Sequence, residues 1–233
     1  MNKEKFIKEL EKLNIMIDDY KLQQLEIYCN LLILENKKYN LTSITEKNQI
    51  YLKHFYDSLT ITKIINLDNQ SLCDMGTGAG FPGLVLKILF PNLKVTLIDA
   101  TSKKCEFLRL VINKLNLKDI EVINTRIEEY SKNNREIYDI VTARAVAPLK
   151  HLLEYGIPLV KVNGYFIPLK ANIQKETINI ENYYNKLNIK LIKKQEFNLP
   201  IEESKRTVLS YQKLKKTDSK YPRKYNEIIK KEI

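Results

Sequence analysis

The chain is poor in the residues from which metal and disulfide sites are built. Its 233 residues include three cysteines, Cys29, Cys73 and Cys105, and two histidines, His54 and His151. The cysteines are odd in number and lack Cys-x-x-Cys spacing, so no disulfide framework follows and no metal site is expected. No apolar run is long enough to cross a membrane, and no basic amphipathic helix is evident. The segment from Met1 to Leu13 carries charge at helical intervals and lacks the apolar core of a signal segment, which makes a reduced cytoplasmic setting the expectation.

Positive charge is abundant. Lys and Arg number 39 against 28 Asp and Glu, a formal charge of +11. The excess is uneven: ten basic against nine acidic residues over 1–65, but ten against five in the last 33 residues. This balance suggests a polyanionic partner, RNA or DNA ahead of a membrane, with a lysine-rich proteome as the alternative.

Three regions are expected. Residues 1–65 read as an N-terminal helical extension: Ile7, Leu10, Leu13 and Ile17 form one stripe. Leu22, Leu25, Tyr28, Leu31 and Leu32 form a second after Asp18-Asp19, which can cap it. A third helix is expected from about Thr45 to Ile65, beyond the polar break Asn40-Leu41-Thr42-Ser43. Residues 66–215 alternate short apolar runs with helical segments, the mark of a Rossmann-like, mostly parallel sheet. Strands are expected at Ser71–Cys73, Val95–Ile98, Ile120–Asn124, Tyr138–Ala143, Tyr165–Leu169, Ile189–Phe197 and Thr207–Lys213, seven in all, the last pair antiparallel at the edge. Residues 216–233 form a basic C-terminal tail.

The most informative stretch is Asp74-Met75-Gly76-Thr77-Gly78-Ala79-Gly80-Phe81-Pro82. Alternating glycines let the backbone turn tightly between a strand and a helix and approach a ligand closely, and Pro82 suits a first helical turn. Asp99 ends the second strand, where a carboxylate can accept both hydroxyls of a ribose. NAD enzymes share this geometry, but their pattern is G-x-G-x-x-G and theirs is a pyrophosphate, which Asp74 would repel. An acidic residue before G-x-G-x-G instead suits the cationic end of S-adenosylmethionine. The class expected is therefore a class I S-adenosylmethionine-dependent methyltransferase, with NAD binding and a plain glycine turn as the competing readings.

Methyl transfer from a sulfonium is an in-line displacement that rests mainly on positioning. The acceptor is read at the tip of the fourth strand, Thr142-Ala143-Arg144-Ala145-Val146-Ala147-Pro148. An Asn- or Asp-Pro-Pro-aromatic turn, usual for exocyclic amines, is missing because all seven prolines are isolated. Pyrimidine carbon-5 would need a cysteine nucleophile there. Ribose 2′-hydroxyls would want an Asp and a Lys, and Arg144 occupies the place. Guanine N7 already carries a lone pair and needs no base, which agrees with such a tip.

The chain resembles the small-subunit ribosomal RNA guanine-N7 methyltransferases, the glucose-inhibited division protein B family. The resemblance runs through Asn40-Leu41-Thr42, His54 with Asp57-Ser58-Leu59, Gly76 through Pro82, Asp99 with Lys103-Lys104 and Phe107-Leu108, Arg126 with Glu128, Arg144 through Ala147, Gly164 with Lys170, Arg206, and Tyr221-Pro222-Arg223-Lys224. It implies methylation of N7 of a guanosine in the 530 loop of 16S rRNA, with S-adenosylmethionine as donor and the small ribosomal subunit or its assembly intermediate as partner; a monomer is the separate expectation for its oligomeric state. It further implies that Gly76 and Phe81 line the cofactor, that Asp99, Ala100 and Thr101 surround its ribose, that Ile127 and Glu128 sit by the adenine, and that Arg144 closes the pocket as the catalytic candidate. Ile127 departs from a usual alanine, Val85 from a frequent proline, and the tail lacks a proline-rich ending.

His54, Lys103, Lys104, Arg206, Arg223 and Lys224 are the RNA-binding candidates. Each also has a plainer reading. His54 and Asp57 can form a local pair that fixes the third helix, Glu128 can be a solvated surface acid, Lys103-Lys104 can be helix-face charge, and Tyr221 can pack on the domain rather than stack on a base. Arg144 is expected to matter to turnover more than to folding. Competing functions are a non-catalytic RNA-binding assembly factor and a methyltransferase acting on a small molecule or protein.

Overall fold

The computed structural model describes residues 1–173 and 176–233. Two helices open the chain, α1 (Lys3–Glu11) and α2 (Asp19–Tyr39). The side chain of Asp18 caps α2 by accepting from the Lys21 N–H, as the sequence suggested, and Asn40 ends it in the left-handed conformation at φ 50°. The expected third helix is one continuous run with three different pitches. It begins as α3 (Lys47–Ile50), widens to a π segment over Tyr51–Tyr56, returns as α4 (Asp57–Leu59) and tightens to 3-10 geometry over Thr60–Lys63. π segments are rare and often lie at functional sites.

Seven strands form one sheet: β1 (Ser71–Met75), β2 (Lys94–Asp99), β3 (Ile120–Asn124), β4 (Tyr138–Arg144), β5 (Val160–Lys170), β6 (Ile189–Asn198) and β7 (Lys205–Lys213). Their order is β3-β2-β1-β4-β5-β7-β6, parallel except at β7, which runs antiparallel to both β5 and β6. Between them lie α5 (Gly83–Leu89), α6 (Ser102–Lys114), α7 (Ile127–Asn133), α8 (Leu149–Gly156) and α9 (Glu181–Leu187), and the chain closes with α10 (Tyr225–Lys230). The last is a helix in a tail that carries no periodic signal for one.

Strand β1 shows how the sequence builds two cores. Leu72 points into one cluster with Phe6, Leu25, Tyr28, Phe55, Leu84 and Phe107, while Cys73 and Met75 point into the other with Val141, Leu152, Tyr155 and Phe166. Because both faces are covered, the central strands read as nearly continuous apolar runs. The strand order reverses between β1 and β4, and in open parallel sheets ligands bind beyond the carboxyl ends at such a point.

Candidate functional site

The glycine loop after β1 is held from below and from the side. Asp74, fully buried, accepts through Oδ2 from the Thr77 hydroxyl at 2.6 Å and the Gly83 N–H at 2.7 Å, while its Oδ1 has no partner among the described residues. Burial pushes this carboxyl up to about 7, against the pull of those donors and of Arg144. Gly76 and Gly78 have φ of 64° and 61°, which favour glycine; a Cβ on Gly78 would meet only open space. Asp99 steadies the loop from β2, accepting from the Gly78 N–H at 2.9 Å and the Thr101 N–H at 2.8 Å. One bond to each oxygen leaves the carboxylate further acceptor capacity. Pro82 stands one residue earlier than a first-turn position, at the N-cap of α5.

Beside this loop lies a cavity of about 580 Å³. Gly76, Asp99, Ala100, Lys104, Ile127 and Glu128 line it from the glycine-loop side of the sheet, and Ala145 through Pro148, His151 and Tyr155 from the β4–α8 side. Glu128 is buried, with Arg126 at 3.9 Å, rather than a solvated surface acid. The open face at Gly78, the remaining acceptor capacity of Asp99 and the orphaned Oδ1 of Asp74 fit a nucleoside with a cationic arm. Five of the sequence's cofactor candidates thus meet here: Gly76, Asp99, Ala100, Ile127 and Glu128.

Three do not. Thr101 is exposed as the N-cap of α6, holding Asp99 by its backbone. Phe81 is buried in an aromatic stack, 4.2 Å from the His54 ring and 5.6 Å from that of Tyr28, because its ring packs toward the N-terminal helices. Arg144 lines a second cavity of about 400 Å³ with Ile44, Lys53, His54, Asp57, Lys170 and Glu176. Ala145 lines both cavities, and its left-handed backbone at φ 57° turns the chain between them.

The second cavity has a tightly bonded wall. Arg144 donates through Nη1 to Lys53 O at 2.6 Å and Asp57 Oδ2 at 3.1 Å, and its Nη2 stands 3.1 Å from His54 Nδ1. Asp57 also accepts from Arg206 Nε at 3.0 Å. His54 Nε2 faces Thr42 Oγ1 at 2.9 Å. Burial, then the neighbouring Arg144, depress the His54 imidazole to about 3, so the ring is neutral; Nδ1 accepts from Arg144 and Nε2–H donates to Thr42. His54 and Asp57 are therefore joined through Arg144 rather than as a local pair. Glu176 accepts from the Leu149 N–H at 2.6 Å and stands 2.8 Å from Lys170 Nζ.

The RNA-binding candidates scatter. Lys103 and Lys224 are exposed, and Lys104 reaches to 4.0 Å from Asp99 on the first cavity wall. His54 and Arg206 are bonded into the second cavity. Arg223 grips Glu154, donating to its carboxylate at 2.8 Å from both Nε and Nη2, because Glu154 is fully buried in α8 and requires a cation. Tyr221 is buried, which places it in the packing. The sequence reading missed His151, Tyr155, Tyr225 and Ile229 on the first cavity and Ile44, Lys53 and Glu176 on the second; none lies in a motif, whereas Lys170 on the second was marked through its pairing with Gly164 in the resemblance.

Residues 21–208 match the sequence profile of the family described as GidB, rRNA small subunit methyltransferase G. A ribosomal RNA small subunit methyltransferase G from Mycoplasma capricolum is 46% identical over 221 residues, covering 93% of this chain and 94% of that protein. The protein of the same name from Fusobacterium nucleatum is 43% identical over 231 residues, covering 99% and 100%. Among solved structures, a SAM dependent methyltransferase from Aquifex aeolicus superposes with a TM-score of 0.55 at 14% identity, over 75% of this chain and 97% of its own. TYW2 of M. jannaschii, solved in complex with AdoMet, gives 0.54 at 16% identity over 68% and 75%. These likenesses show the class I methyltransferase fold.

Proposed function

Because the chain belongs to the rRNA small subunit methyltransferase G family, we propose that it transfers the methyl group of S-adenosylmethionine to N7 of a guanosine in the 530 loop of 16S rRNA. The observation that carries this reading is the pair of cavities meeting at Ala145, one suited to the cofactor and the other walled by His54 and Asp57, both already bonded to Arg144. Bound S-adenosylmethionine supplies an electrophilic methyl carbon on a sulfonium. Gly76 and Gly78 would admit its approach, Asp99 would accept from its ribose, Ile127 and Glu128 would flank the adenine, and Asp74 would hold the loop beneath it through Thr77 and Gly83.

Among the described residues of the second cavity, His54 is bonded on both nitrogens and Asp57 on both oxygens by two arginines, while Glu176 meets Lys170 and the Leu149 N–H through Oε2. A hydroxyl or amine acceptor would call on such a group to take its proton, and neither His54 nor Asp57 has an unbonded ring nitrogen or oxygen for it. Guanine N7 loses no proton, so the cavity has only to hold the base in line, and such positioning can supply roughly 7–11 kcal/mol of the barrier. Lys53, Arg144, Lys170 and Arg206 give the wall an excess of positive charge over Asp57 and Glu176, which suits a nucleotide carrying its phosphate. On this reading the protein acts as a monomer in the cytoplasm, on the small subunit or its assembly intermediate.

The test is methylation of 16S rRNA and of small subunits by purified protein with labelled S-adenosylmethionine, followed by mapping of N7-methylguanosine. Label at an N7 of the 530 loop is expected. Label on a base amine, a ribose or a protein would sink the reading, and rRNA binding without cofactor uptake would assign an assembly role instead.

A further inference from the structure

The tail that the sequence marks as a basic RNA-binding element also walls the first cavity, where Tyr225 and Ile229 of α10 join Glu128, His151 and Tyr155. We propose that α10 is part of the cofactor site, with Tyr225 and Ile229 covering the adenosine end of S-adenosylmethionine; this rests on the functional reading above. Ile228 anchors the helix in the core at 3% exposure, while Tyr225 and Ile229 are each left 46% exposed. Two apolar side chains on the cavity side of a six-residue helix thus await a cover, and an adenine ring supplies one. Asp99 fixes the ribose, so the base extends toward Ile127 and Glu128. Glu128 and Tyr155 line the same cavity as Tyr225 and Ile229, which puts α10 on a wall that the base would meet.

The helix is fastened where it stands. Arg223, just before it, also donates its backbone N–H to Glu154 at 2.9 Å, and Lys150 pairs with Glu232 beyond it. Arg135 donates to the carbonyls of Thr217, Asp218 and Tyr221. Undocking would strand the fully buried Glu154 without its cation. The tail is therefore a fixed part of the binding wall.

The experiment compares the full-length protein with Tyr225→Ala/Ile229→Ala and Tyr225→Phe by calorimetry against S-adenosylhomocysteine and S-adenosylmethionine. The double variant should bind both about tenfold more weakly, as expected from leaving some tens of Å² of apolar surface in water. Its melting temperature and rRNA affinity should match wild type, since both side chains are half-exposed, and Tyr225→Phe should keep wild-type affinity because it keeps the ring. As a second readout, S-adenosylhomocysteine should slow tryptic cleavage after Lys224 in the wild type. If wild type binds the cofactor, unaltered affinity in the double variant, within twofold, overturns the inference alone, as does cleavage that ignores the ligand. Wild type that binds neither compound overturns the functional reading and this inference with it.

Discussion

Arg144 is held by three acceptors from the π segment and α4, and this changes what its removal should do. A role in turnover alone would leave folding intact, yet Arg144→Ala strips Asp57 of one cation and Lys53 O of a donor. A loss of roughly 1–3 kcal/mol is expected, as for lost hydrogen bonds to a charged group, since Arg206 still pairs with Asp57. Thermal unfolding beside methyl-transfer assays checks this: a normal melting temperature with lost activity would return Arg144 to a purely catalytic role. His54 carries a pH consequence. Its folded value near 3 lies below the ordinary 6.5, so between those values the unfolded chain binds a proton that the fold refuses. Its contribution is present above 6.5 and declines as the pH falls, by about 2 kcal/mol between pH 7 and pH 5. In His54→Gln this component is gone, so the stability gap between wild type and variant should shift by that amount across the window. Parallel stability curves in denaturant at the two pH values would refute it.

At the scale of elements, local pattern and tertiary demand can be separated. The strand from Ile120 to Asn124 stands where its apolar run predicts it, and β4 runs one residue past its predicted end. β5 is longer than the run Tyr165–Leu169 suggests, since it starts at Val160 and crosses an irregularity in its pairing with β4, where Asn163 and Gly164 weaken the apolar pattern. The change of pitch at Tyr51 has no local signal; it turns His54 and Asp57 toward an arginine about ninety residues later. The glycine loop and Asp99 were legible because backbone conformation and spacing dictate them. The walls contributed by α8, Ala171, Glu176 and α10 were not, because single residues brought together by folding have no spacing to read. Helix α2 reaches the loop through Tyr28, whose hydroxyl donates to Ala79 O in a buried site. Tyr28→Phe should cost about 1–2 kcal/mol and loosen cofactor binding; calorimetry and melting measured together test the link, and unchanged values in both would break it.

Across the whole molecule the charge of +11 is not all free to meet RNA. Arg206 and Arg223 are paired with buried carboxylates, whereas Lys103 and Lys224 stand in solvent. Replacing these two lysines with Ala should flatten the plot of log rRNA affinity against log salt by up to ~0.9 per lost contact on duplex RNA, with cofactor affinity unchanged. An unaltered slope would move the RNA surface to the rim of the second cavity. The sheet order carries one more consequence, for the chain's birth on the ribosome. Strand β6 is made before β7 yet reaches the sheet only through it, because β7 lies between β5 and β6. Until residues 205–213 have emerged, a nascent chain therefore displays the bare edge of β5 and an orphan strand, both open to pairing with the wrong neighbour. Synthesis that stalls in this interval should leave an aggregation-prone species, and the enzyme that modifies ribosomes depends on an unbroken run through its own last strand.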